Sequence, residues 1–413
     1  MAQVPVQQVV LEEPLNQQQQ YTPALVSLAV LYFMIGFITC LNDTLVPFFK
    51  QGFTLTYAQS SLVQFYFFLT YGIMSIPAGK IVERVGYKKG MVAGFSVAAF
   101  GALLFYPASA LHQYYLFLAA LFIVAVGMVL LQVAANPYIT ILGPARTASS
   151  RLTLIQGVGS IGTTVAPLFG AHFILSRLQE SSASSEAVRY PYLGIAALLL
   201  LIALIVSRLG LPTIKAGPDN GNRNQPDAGK SAFAFRNLNL GVWAIFCYVG
   251  AEVSIGTFLT NYIADTLAIA EEQANTYVAF YWGSMLAGRL IGSVVLKSIR
   301  PSLVLTTCAA AAISLIAISV SATGHLAVWT MIAVGLCNSI MFAIIFSLSV
   351  QGLGKYTAQA SGYLSTAIAG GAIVSYSQGL LIDHSTWAIS FMLPLLCYGY
   401  ILFYGVKGYK PRR

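Results

Sequence analysis

Two carboxylates stand where water is scarce. Asp43, in Leu41-Asn42-Asp43-Thr44-Leu45, and Glu252, in Tyr248-Val249-Gly250-Ala251-Glu252, each interrupt a long apolar stretch, whereas every other acid falls in a tail, a loop or the end of such a stretch. A charge in apolar surroundings is costly, so it faces a partner or a water-filled cavity. A carboxylate whose exposure alternates changes its affinity for a proton or a cation as it does so, which is the chemistry of an ion-coupling site. Asp43 fits that role, with a solvated helix end as the bland alternative. For Glu252 three readings stand: it coordinates sugar hydroxyls, binds a coupling ion, or forms a structural ion pair with Arg289.

Amides supply the complementary polar groups. Gln132 and Asn136 are four residues apart and share one helix face, and Pro137 frees backbone carbonyls beside them. Gln156, Asn261 and Asn338 add three more amides in other apolar stretches. Paired amides suit sugar hydroxyls or a desolvated cation, and hydrogen bonding between helices is the competing role. Oxygens of Asp43, Asn42, Thr44 and Gln132 can together ligate a hard cation such as sodium. Tyr281, Trp282, Tyr363 and Tyr376 offer rings to stack on a pyranose, although with 23 tyrosines in the chain interfacial anchoring explains most of them. The five cysteines lie in apolar segments without CxxC spacing or a histidine cluster, which points to helix packing, with no structural metal and no cofactor. Gly157-x-Gly159-x-x-Gly162 matches a dinucleotide-binding string but lacks the preceding strand, so it reads as a close-packing surface.

The elements that position these groups follow from composition. Hydrophobic residues make up 57% of the 413 and charged residues only 8%, against about a quarter charged in soluble domains. Stretches of roughly 20 apolar residues, enough for a membrane-crossing helix, recur about twelve times. This predicts an all-α membrane protein. Residues 1–23 form a Gln-rich polar tail, 24–210 a first group of six helices, 211–237 a polar linker, 238–406 a second group of six, and 407–413 a basic tail. The net charge of +9 does not imply nucleic acid. All the Lys and Arg residues except Lys50, Arg177, Arg189 and the intrahelical Arg289 fall on one predicted side, which makes both termini cytoplasmic. The first 23 residues carry no Lys or Arg, so the expectation is a retained first helix and no cleaved signal peptide.

After the second apolar stretch comes Gly79-Lys80-Ile81-Val82-Glu83-Arg84-Val85-Gly86-Tyr87-Lys88-Lys89, a glycine turn loaded with one acid and several bases, with a weak echo at Ala287-Gly288-Arg289. It resembles the loop motif of the major facilitator superfamily, in which Gly79, Glu83, Arg84, Gly86, Lys88, Lys89 and Arg289 would brace neighbouring helices in one conformation. Phe37-Ile38-Thr39-Cys40-Leu41-Asn42-Asp43, Leu131-Gln132-Val133-Ala134-Ala135-Asn136-Pro137-Tyr138 and Tyr248-Val249-Gly250-Ala251-Glu252-Val253-Ser254-Ile255-Gly256 are similar to the fucose/glucose/galactose symporter family within that superfamily.

The resemblance implies the major facilitator fold, 12 transmembrane helices in two pseudo-symmetric six-helix halves in a bacterial inner membrane. It also implies a monomer that takes up a hexose with Na+ or H+ by alternating access, without enzymatic chemistry. Asp43 would couple cation to sugar. Gln132 stands where fucose transporters hold a glutamate, and with Glu252 it resembles the glucose/galactose branch. Gln132, Asn136, Gln156, Glu252, Asn261, Asn338 and Tyr363 are the expected sugar contacts. The alternatives are a sugar uniporter or a proton-coupled exporter and, more remotely, a transporter-like sugar sensor.

Overall fold

In hydrocarbon every backbone N–H and C=O must be satisfied within its own segment, which leaves the helix as the economical solution for a chain of this composition. The computed structural model describes residues 21–53, 57–170, 173–174, 184–209, 232–269 and 271–410, without side-chain detail at 21–23, 42–52, 57–65 and a few scattered positions. Every regular element among them is a helix. Ten helical stretches of the described residues are long and apolar enough to cross a membrane. Tyr57–Val85 and Ala148–Gly170 are two further helices, of 29 and 23 residues.

The helices are α1 (Tyr21–Gly52), α2 (Tyr57–Val85), α3 (Tyr87–Leu103), α4 (Phe105–Ala110), α5 (Tyr114–Ile141), α6 (Ala148–Gly170) and α7 (Arg189–Arg208). After the polar linker come α8 (Arg236–Leu267), α9 (Glu271–Ser298), α10 (Pro301–Ser321), α11 (Gly324–Asn338), α12 (Met341–Ser349), α13 (Thr357–Thr366), α14 (Gly370–His384) and α15 (Trp387–Phe403). Two apolar segments that read as continuous are broken. One divides into α11 and α12 at Ser339–Ile340, and the other into α13 and α14 around a 3-10 turn at Ala367–Ala369.

The chain forms two compact units. One comprises residues 1–142, 158–222 and 354–366, and the other 143–157, 223–353 and 367–413. In the first unit α3 packs on α5 and α7, and α2 on α5 and α13. Lipid tails are as apolar as leucine, so close backbone approach has to supply the attraction between helices. Glycines permit it at the α3–α5 crossing: a Cβ on Gly127 would lie 2.6 Å from the Gly94 carbonyl oxygen, and one on Gly101 2.6 Å from the Val124 nitrogen. Gly159 and Gly162 of α6 do the same against Tyr32 and Phe33 of α1, a close-packing surface and not a nucleotide loop. Phe105 of α4 stacks on Tyr192 of α7 with ring centroids 3.6 Å apart.

Gly86 joins α2 to α3 at φ +85°, a left-handed conformation that glycine adopts without strain. Around it, Glu83 accepts a 2.7 Å hydrogen bond from Gln359 Nε2 of α13, and Lys88 Nζ donates at 2.7 Å to the Leu209 carbonyl at the end of α7. Gly79 lies against α13, where its Cβ would be 3.2 Å from the Ala358 carbonyl oxygen. Arg84 and Lys89 are exposed. Arg289, the echo of this loop, belongs to the other unit.

In the second unit α9, α12, α14 and α15 pack along the 32-residue α8, and α10 packs on α11 and α15. Asn237, in the first turn of α8, donates from Nδ2 to the carbonyls of Ser349 (3.0 Å), Gln351 (3.1 Å) and Leu348 (3.3 Å), at and just past the end of α12. Tyr404, just beyond α15, donates its hydroxyl to the Asn237 carbonyl at 3.2 Å.

Candidate substrate and ion site

In the first unit the polar cluster is built on α5. One turn separates Gln132 from Asn136, so both amides leave the same face. Asn136 is buried, and its Oδ1 accepts a hydrogen bond from the buried Tyr32 hydroxyl of α1. Gln132 is half-buried and donates from Nε2 to the Tyr71 hydroxyl of α2 at 2.7 Å. Pro137 continues α5 without an N–H to donate, and the Thr140 hydroxyl returns to the Pro137 carbonyl at 2.7 Å. Each amide is therefore held by one tyrosine from a different helix. The side chains of Asn42, Asp43 and Thr44 lie outside the described residues; their backbone continues α1 eleven residues, about three turns, beyond Tyr32.

The second unit carries a charged cluster. Glu252 of α8 is half-buried, the Tyr248 hydroxyl one turn before it donates to its carboxylate, and the Arg289 guanidinium of α9 acts on that carboxylate electrostatically. Arg289 Nε also donates at 3.3 Å to the Ser339 carbonyl, at the break between α11 and α12. The Tyr281 hydroxyl donates to the Glu252 main-chain carbonyl at 3.3 Å and accepts from Asn338 Nδ2 at 3.0 Å. Asn338 Oδ1 in turn accepts from the Tyr398 hydroxyl of α15 at 2.7 Å. Asn338, Tyr281 and Tyr398 are fully buried. Side chains from four helices, α8, α9, α11 and α15, thus join one cluster at Glu252.

The remaining expected residues are spread out. Gln156 is half-buried on α6, in the part of that helix assigned to the second unit, and Tyr363 is half-buried on α13 in the first. Asn261 is exposed and stands about two and a half turns beyond Glu252, on the opposite face of α8. Tyr376 is 71% exposed and Trp282 48%, with the Trp282 ring lying over Gly256. Tyr32, Tyr71, Tyr248 and Tyr398 were not singled out from the sequence. Their signal is a tyrosine inside an apolar stretch, diluted among 23 tyrosines.

The Major Facilitator Superfamily model matches residues 28–376. The chain belongs to that superfamily. As a major facilitator with ten membrane-length helices among its described residues, it is a multi-pass inner-membrane transporter and not an enzyme. It is 49% identical over 399 residues to the glucose/galactose transporter of Brucella abortus biovar 1 (strain 9-941), covering 96% of each chain. It is 32% identical over 424 residues to the L-fucose-proton symporter of Escherichia coli (strain K12), covering 95% of each. The crystal structure of the major facilitator FucP in the outward conformation matches with a TM-score of 0.83 at 31% identity, over 93% of this chain and 98% of that one. The proton:xylose symporter XylE matches at 0.74 with 14% identity, over 94% and 97%, a likeness of fold alone.

Proposed function

We propose that this major facilitator is a cation-coupled hexose symporter of the glucose/galactose type, acting as a monomer through alternating access of two six-helix halves with both termini cytoplasmic. The observation that carries the reading is the division of labour on α5. Asn136 is buried against Tyr32, whereas Gln132 one turn away is braced by Tyr71 through Nε2 and is only half-buried. Such an amide bonds sugar hydroxyls without the cost of moving a charge. Glu252, half-buried and flanked by Tyr248 and Tyr281, supplies the strong acceptor that a hexose hydroxyl favours. The 49% identity to a glucose/galactose transporter supports the same substrate class.

Asp43 carries the coupling ion in this reading, on the argument that a carboxylate within α1 is tolerated where its exposure alternates. The E. coli relative named an L-fucose-proton symporter favours H+. A sodium reading rests on Gln132, whose amide oxygen can ligate a hard cation but cannot carry a titrating proton. Hexose uptake into proteoliposomes under separately imposed pH and sodium gradients decides between them. Accumulation driven by neither gradient removes the symporter reading in favour of a uniporter, and expulsion of an apolar drug in exchange for protons favours an exporter.

A further inference from the structure

The buried amide Asn338 has a job that its burial itself defines. It is 0% exposed, so no substrate reaches it in this arrangement of the helices. Both ends of its side chain are engaged, and the directions of those bonds are fixed by what each group can do. Tyr398 has one hydroxyl proton, which goes to Asn338 Oδ1. Asn338 Nδ2 donates to the Tyr281 oxygen, which leaves the Tyr281 proton for the Glu252 carbonyl. The result is a one-way chain from α15 through α11 and α9 to the backbone of α8 at Glu252. A second arm starts one residue later. The chain breaks after Asn338, and the Ser339 carbonyl at the break receives Arg289 Nε, placing that guanidinium where it acts on the Glu252 carboxylate. One short stretch of chain therefore sets both the main-chain position of Glu252 and its counter-charge.

We infer that Asn338 is a positioning residue for sugar binding, acting through Tyr281 on Glu252 without touching the sugar. The inference rests on the reading of Glu252 as a sugar contact. A side chain that only stabilised the fold would give losses independent of Glu252, whereas a positioning residue loses its effect once the group it positions has gone.

The test is a pair of double-mutant cycles, Asn338→Ala with Glu252→Gln and Tyr281→Phe with Glu252→Gln. D-glucose or D-galactose binding to the full chain in detergent is measured by calorimetry, alongside thermal unfolding of the sugar-free protein. Tyr281→Phe keeps the ring and serves if Asn338→Ala does not fold. The expected result is a loss of sugar affinity of about tenfold for N338A or Y281F alone, and no further loss when either is added to E252Q. Losses that multiply in the E252Q background, or unchanged affinity in both single variants, overturn the inference while leaving Glu252 as a sugar contact. If E252Q itself binds sugar as the unaltered chain does, the reading of Glu252 falls and the inference with it.

Discussion

The polar clusters of the two units solve the same problem with different means. On α5 the described groups are neutral: two amides, each answered by one tyrosine. Around α8 a carboxylate and a guanidinium stand in the membrane-spanning part of the chain, and three tyrosines and an asparagine are needed to hold them. The difference follows from desolvation. A neutral amide without its partner loses one modest hydrogen bond, whereas an unanswered charge in apolar surroundings costs several kcal/mol, so the charged cluster needs redundant support from more helices.

The largest effect is expected at the first unit's own carboxylate. Asp43→Asn should abolish gradient-driven hexose accumulation while leaving sugar exchange, which requires no net ion transfer. Undiminished accumulation would mean that the neutral cluster has no ionic counterpart on α1. Next comes Arg289→Ala, which leaves the half-buried Glu252 without its counter-charge and should lower stability by up to about 3 kcal/mol, read from thermal unfolding in detergent. Partial recovery in the Arg289→Ala/Glu252→Gln double variant would confirm that the missing charge, and not lost packing, was responsible.

Smaller and more discriminating is Tyr248→Phe, which removes a hydroxyl bonded to a carboxylate and should cost roughly 1.5–3 kcal/mol. The counterpart in the first unit, Tyr71→Phe, removes a bond between neutral groups and should cost only about 0.5–1.5 kcal/mol. If chemical denaturation gives the two phenylalanine variants equal costs, the contrast between the clusters is wrong.

What could be read from the chain alone tracks the range of the interactions involved. Hydropathy is a local property and shows the spans. The shared face of Gln132 and Asn136 is equally local, because four residues make about one helical turn. Glu252 announced itself as a charge out of place. Its supports were marked only in part: Asn338 and Tyr281 stand out by residue type, but their link to Glu252, and the part played by Tyr398, depend on three other helices brought together in space. Asn261 shows the opposite failure: its type suits a sugar, but half a turn of phase carries it away from Glu252. The breaks after Asn338 and Thr366 lack an internal proline, and at the first of them the Ser339 carbonyl finds its partner in Arg289 of another helix.

Asn237 has a mechanical meaning. A single amide grips the carbonyls of Leu348, Ser349 and Gln351 where α12 ends, and Tyr404, just beyond α15, joins the hydroxyl of Ser349 to the carbonyl of Asn237. The start of α8 is thereby tied to the end of α12, and α12 runs from that tie back to the break at Ser339–Ile340, where Arg289 holds the Ser339 carbonyl beside Asn338.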